Sequence, residues 1–315
     1  MFEGKHYVYE VYKTRSFSKA ADNLYISQPS LSATIKKIEN QIGTPLFDRS
    51  TNPIQLTECG QKYLSYIENL MDMEHEFENY LNDVNTLRTG HLSIGGSNLF
   101  AAYILPPLLS KFMSKYPHIG IKLVESNTYA LEQQLSSGNL DIVIDNYAFD
   151  GRIYEKQLFC QEQLLLAVPA SFTSNQKAAG YQLTADDIKH NNLSDTSAPI
   201  NKTANFVSLK VFNQDPFLLL RTGNDTRKRS ELLLKDAGIS PKIILKLDQQ
   251  VTAYHVASYG MGITFVTDTL IKNVPDNSNL LYYRLNPEYA QRNIYFYYKR
   301  NHYLTRAMEN FLLDL

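Results

Sequence analysis

The sequence holds two cysteines, lacks a long apolar run and carries almost no net charge, and each shortage excludes something. Cys59 and Cys160 are far apart in the chain with no CxxC spacing, which argues against a disulfide framework or a zinc site and for reduced thiols. No window approaches the ~20 apolar residues that a spanning helix needs. The opening MFEGKHYVYEVYK offers no apolar stretch of the signal-peptide kind, so the expected location is the cytoplasm, with no membrane partner. With 31 basic and 32 acidic residues the net charge is −1, so a nucleic-acid site must be local. HExxH, GxSxG, P-loop and GxGxxG patterns are also missing, and Asp141 and Asp145 in LDIVID read as flanks of a strand. The expectation is a protein that is not an enzyme and uses no metal or cofactor.

What is present is an ordinary globular mixture, 43 % hydrophobic and 20 % charged, in a chain of 315 residues, long enough for two or three domains. Up to Thr57 there are seven Lys/Arg against five acids; from Glu58 to Thr89 there are two against seven. That contrast marks two jobs. In the second stretch Tyr63, Tyr66, Leu70, Met73, Phe77, Tyr80, Val84 and Leu87 alternate at spacings of three and four, a heptad seam on one long helix that wants a partner. From His91 onward HLSIGG, LPPLLSKFMSKY, IGIKLVES, YALEQQLSSG and LDIVID alternate strand and helix character, and QLLLAVP, PFLLLR, KIILKL and GITFV begin a second series. Such βα runs imply mostly parallel sheet covered by helices. Residues 170–205 are poor in apolar side chains and read as an insertion or loop rather than core.

Before the seam, Ser18 precedes KAADNLYI and Ser27 precedes QPSLSATIKKIENQIG, and each serine is placed to cap a helix. Pro29 sits in the first turn of the second helix, where a missing N–H costs nothing. Leu31, Ile35, Ile38 and Ile42 give that helix a buried face, and the opposite face carries Gln28, Ser30, Ser32, Thr34, Lys36 and Lys37. Short hydrogen-bonding groups with two cations suit base edges and phosphates, although such a face alone is usually just a solvated surface.

SFSKAADNLYISQPSLSATIKKIENQIGTPLFDRS followed by IQLTECG resembles the signature of LysR-type transcriptional regulators, and the resemblance extends along almost the whole chain. It implies an α/β protein with an all-α N-terminal part. A winged helix-turn-helix would occupy 1–58, a linker and dimerisation helix 59–89, and a bilobed effector-binding domain, built like a periplasmic binding protein, 90–315. Lobe I would comprise 91–162 and 267–315, and lobe II 163–266. Ser27, Gln28 and Pro29 would open the recognition helix. Gln28, Pro29, Ser30, Ser32 and Lys36 would approach bases or nearby phosphates, with Arg49 and Asn52 on the wing touching backbone or minor groove. Implied partners are double-stranded operator DNA with two half-sites, a small-molecule effector, a second copy of the chain in a homodimer or a homotetramer built from it, and RNA polymerase.

Effector groups are expected at strand ends and helix N-termini facing the cleft, where backbone N–H groups and helix dipoles favour anions. They are Ser97 and Asn98, Thr128, Asn146 and Tyr147, Arg221, Thr222 and Thr226, and Gln249 with Thr252. Ser97, Thr128 and Thr226 could equally be plain helix caps, and Arg221 could pair with Asp225. Gly260 and Gly262 read as a helix end and tight turn. The connection between LAVP and VSLKVFNQDPFLLL is longer than the family pattern. Two other readings remain: a solute-binding protein, which would require export, and a purely architectural DNA-binding protein, which would leave the bilobed part without a purpose.

Overall fold

A computed structural model describes residues 2–84, 90–190, 206–300 and 302–315; the side chains of 75, 76, 78–80 and 82–84 lie outside the described set. The chain divides into two compact units, Met1–Asn85 with Ser137–Asn139, and the remainder from Thr86.

In the first unit α1 (Lys5–Thr14), α2 (Phe17–Asn23) and α3 (Gln28–Ile42) precede a two-stranded antiparallel wing, β1 (Phe47–Asp48) with β2 (Gln55–Leu56), and then α4 (Glu58–Val84). The cap of α2 is Ser16, whose Oγ accepts the Lys19 N–H, and not Ser18 as expected. Starting the helix there puts Phe17, Ala20 and Ala21 together on the buried face. Ser27 caps α3 by accepting the Ser30 N–H at 3.3 Å, Pro29 lies in its first turn, and Gly43 closes it at φ 82°. Leu31, Ile35 and Ile38 are buried with Val8, Val11, Leu46 and Phe47.

The first turns of α4 belong to this core. Thr57 Oγ1 accepts the Gly60 N–H and donates to the Pro45 carbonyl, which fixes the start of the helix. A Cβ on Gly60 would overlap the Leu46 carbonyl, so glycine is what allows the two backbones to meet. Tyr63, expected on the partner-seeking seam, is 6 % exposed and stacks on Phe2 with ring centroids 5.4 Å apart. Leu64 and Ile67 are buried beside it. Further along, Tyr66, Met73 and Phe77 are 54 %, 65 % and 60 % exposed, and Leu70 is half-buried. Tyr80 and Val84 lie in the helix with their side chains outside the described set, and Leu87 lies outside the described residues.

The second unit opens with β3 (Gly90–Gly96), α5 (Leu105–Lys115), β4 (Ile119–Glu125), α6 (Thr128–Ser136) and β5 (Ile142–Asp145). Pro106 and Pro107 have no N–H to give one turn back, and just before them Phe100–Ile104 widens into a π turn. β3 pairs in parallel with β4 and with β5. The long β6 (Tyr154–Pro169) then leads to α7 (Ser174–Lys177), β7 (Gln182–Leu183) and α8 (Ala185–His190). After these come β8 (Pro216–Leu220), α9 (Asp225–Asp236), β9 (Lys242–Leu247), α10 (Gln250–Ser258) and β10 (Ile263–Thr267). The chain closes with α11 (Asp268–Asn273), β11 (Leu280–Arg284), α12 (Pro287–Ala290), β12 (Gln291–Lys299) and α13 (Arg306–Leu313).

β6 joins two halves of one hydrogen-bonded array. Residues 154–163 of β6 pair with β12, which also pairs with β5. Residues 164–169 pair with β10 on one side and β11 on the other, and β8 and β9 continue in parallel from β10. Residues 268–284, expected in the first lobe, therefore lie with the second half, and the chain returns to the first half at β12. Residues 170–190 also depart from the loop expectation: Ala178, Leu183, Ala185 and Ile188 are buried core residues, and β7 pairs with β11. The rest of that segment, 191–205, lies outside the described residues. No helix among the described residues is long and apolar enough to cross a membrane.

Candidate nucleic-acid interface and effector cleft

Ser27, Gln28, Pro29, Ser30 and Lys36 are exposed along α3, and Asn52 is exposed in the wing. Thr34 spends its hydroxyl on the Ser30 carbonyl of its own helix. Ser32 is half-buried and its Oγ lies 3.5 Å from Nη1 of Arg49. Nη2 of Arg49 meets Oε2 of Glu39 at 3.0 Å, and the guanidinium stands 5.0 Å over the Phe17 ring. Glu39 Oε1 accepts the N–H groups of Leu46 and Phe47. One carboxylate thus ties the entry of the wing to α3 and aims Arg49 beside Ser32, a coupling that the expectation of separate helix and wing contacts missed.

In the second unit the loops at the C-terminal ends of β3, β4, β5, β8 and β9 surround a cavity of about 130 Å³. Of the expected residues, Ser97, Asn98, Thr128, Asn146, Thr226 and Gln249 line it. Tyr147 and Thr222 border an adjoining pocket with Arg227 and Glu231, which shares Asn146, Gly223, Asn224 and Asp225 with the cavity. Arg221 pairs with Asp248 at 3.1 Å rather than with Asp225, and Thr252 is exposed outside both pockets. Asn98 donates to Glu125 across neighbouring strand ends.

The lining also brings in groups that strand-end reasoning missed, chiefly Asp145, Asp225, Gln250 and Arg292. Arg292 is the key addition. It stands at the start of β12 directly opposite Glu162, bonds Oε2 of Glu162 through Nε and Nη2, and reaches Asp225 Oδ2 and Thr226 Oγ1 through Nη1. Arg229 also takes Asp225 Oδ2 and donates to the carbonyls of Tyr289 and Gln291. Burial would push the Asp225 pKa up, but Arg292 and Arg229 overcome that and hold it below the usual carboxylate range. Asp145 shows the opposite balance: burial dominates and its pKa is raised, although Tyr147 N–H and Thr128 Oγ1–H donate to it. The two thiols are free, and burial pushes the Cys160 pKa up to about 12, far from a reactive thiolate.

The model of the LysR substrate binding domain matches residues 85–313, and that of the bacterial regulatory helix-turn-helix protein, lysR family, matches residues 5–61. This chain belongs to the LysR family. As a LysR-type transcriptional regulator it combines a helix-turn-helix DNA-binding domain with an effector-binding domain. Among its relatives is a Bacillus subtilis (strain 168) protein described as an uncharacterized HTH-type transcriptional regulator, YcgK, 26 % identical over 97 % of this chain and 91 % of that protein. A probable RuBisCO transcriptional regulator of Nostoc sp. is 27 % identical over 95 % of this chain and 83 % of its own length. In fold, the LysR chain resembles full-length CbnR crystallised with its target DNA, at TM-score 0.63 and 17 % identity, covering 100 % of this chain and 98 % of that one. A full-length OxyR variant from Pseudomonas aeruginosa gives TM-score 0.64 at 17 % identity, covering 98 % of this chain and 92 % of that one.

Proposed function

We propose that this regulator reads an operator in the cytoplasm as a homodimer, without enzymatic activity, with α3 in the major groove and the wing on the adjoining backbone. The observation that carries this is the face of α3. Gln28, Ser30 and Lys36 are free of core packing, while Leu31, Ile35 and Ile38 anchor the opposite side. Gln28 and Ser32 present hydrogen-bonding groups to base edges; Lys36, Arg49 and Asn52 take phosphates or the minor groove, and Ser27 and Pro29 hold the helix end. Residues 1–58 form the reading head, the helix from 59 the pairing element, and the remainder the sensor. Tyr66, Leu70, Met73 and Phe77 supply the described part of the pairing seam, since exposed apolar groups at heptad spacing gain most from a second copy.

The cavity lined by Ser97, Asn98, Thr128, Asn146, Thr226 and Gln249 receives the small-molecule effector. Effector binding regulates only insofar as it favours one DNA-bound state over another, and the two halves joined through β6 and β12 are the element whose closure it would bias. RNA polymerase is the onward partner of such a switch. Footprinting the purified protein on the DNA upstream of its own gene tests the reading: two protected half-sites about one helical turn apart or a multiple of it support a two-fold reader. A single protected half-site at saturating dimer contradicts it.

A further inference from the structure

Most charges around the effector cavity cancel in pairs. Arg292 is matched by Glu162 and Asp225, Asp225 is shared with Arg229, and Arg221 is matched by Asp248. Arg292 and Glu162 have 3 % and 0 % side-chain exposure, so that pair closes on itself away from solvent. Among the described lining residues, Asp145 is the carboxylate with no cation bonded to it. It is 2 % exposed, and the groups that donate to it are neutral: the Thr128 hydroxyl and backbone N–H groups at Tyr147 and Asn146.

We infer that the effector carries a protonated amine, or a comparable cationic donor, that seats against Asp145. An ionised carboxylate offers about four acceptor positions, and the three neutral donors leave room for one more. Arg292 acts on Asp145 through space without outweighing burial, and a cation delivered by the ligand directly onto the carboxylate lowers the remaining cost on binding. The raised pKa of Asp145 has the same origin, burial without a bonded counter-ion. An effector whose only charge is carboxylate has no unmatched arginine or lysine to meet in this lining and would face Asp145. Polar neighbours Ser97, Asn98, Asn127 and Asn146 then orient the uncharged part of the molecule.

This inference rests on the cavity being the effector site, and the test separates the two. The full-length protein and Asp145→Asn are screened by thermal shift against a panel of primary amines (amino acids and diamines) and a panel of amine-free mono- and dicarboxylates, with Kd by calorimetry for each stabiliser. The expected result is stabilisation by one or more amines, weakened at least tenfold in Asp145→Asn, with the variant melting at or above the wild-type temperature when no ligand is present. Stabilisation only by amine-free carboxylates, with affinity kept or improved in Asp145→Asn, keeps the effector site and overturns the amine. A variant that melts well below the wild type without ligand also overturns it, because Asp145 would then be a structural cap. No stabiliser in either panel counts against the effector site itself, and the amine falls with it.

Discussion

Arg292 and Glu162 face each other across neighbouring strands, Nη2 2.6 Å from Oε2, with both side chains buried. They occupy the stretch where β6 passes from one half of the effector-binding domain to the other, and Asp225 at the start of α9 completes the cluster from the second half. Removing the cation would leave two carboxylates without it. Arg292→Met is expected to cost about 3–5 kcal/mol, read by urea denaturation, because an uncompensated buried charge is worse than no charge. Adding Glu162→Leu should recover part of the loss. A single variant within about 1 kcal/mol of wild type would show that the cluster contributes little to holding the halves together.

Arg49 is held by Glu39 and placed beside Ser32. If it takes a phosphate, Arg49→Ala weakens binding to specific and nonspecific DNA alike and lowers the slope of log K against log salt by about 1. Glu39→Ala should act differently. It strips the acceptor from the Leu46 and Phe47 N–H groups as well as freeing Arg49, so it is expected to destabilise the DNA-binding domain by about 1–3 kcal/mol, measured by thermal melting.

The exposed part of the α4 seam predicts the assembly state. Phe77→Asp with Met73→Glu places charge on two exposed apolar positions of the seam, and sedimentation should show a dimer giving way to monomer without loss of helix by circular dichroism. Tyr63→Ala should instead destabilise the DNA-binding domain itself by about 3–5 kcal/mol, since its ring is buried against Phe2.

Much of the DNA-binding domain was legible because its signals are local. Ser27, Pro29 and Gly43 mark the ends of α3 within a few residues of where they act, and the apolar period gives its buried face. The seam was half legible, because periodicity shows that Tyr63 and Phe77 share a stripe but not that the first is covered by the chain's own core. Ser18 was the expected cap, and the need to bury Phe17 moves the start of the helix to Ser16. Arg292 was invisible: its partner Glu162 lies 130 residues away, and it sits at the beginning of a strand rather than at a strand end. Leu183 and Ile188 were hidden in a polar stretch because two buried side chains make no pattern until the fold gives Leu183 a strand partner in β11 and both residues a core to pack in.

Asp145 gives a pH dependence with a definite sign. Its folded pKa lies above the ordinary carboxylate value of about 3.9, so it favours the folded state fully below that value and loses this contribution as pH rises through the raised one. Above the raised pKa the ionised group is a penalty that asparagine lacks. Asp145→Asn should therefore raise the melting temperature most at pH above the raised pKa, and the gain should shrink as pH falls through it toward the ordinary carboxylate range. A gain independent of pH would assign the effect to packing instead.

The most direct test of the whole account is DNA binding by the purified full-length protein to the region upstream of its own gene, over a salt series, with Gln28→Ala and Ser32→Ala beside the wild type. The account predicts tight, salt-sensitive, sequence-selective binding whose selectivity falls by about 1–3 kcal/mol in Gln28→Ala and by a smaller amount in Ser32→Ala, while nonspecific affinity is kept. Binding without sequence preference, or unchanged selectivity in both variants of an intact dimer, would contradict the assignment of α3 as the element that reads the operator.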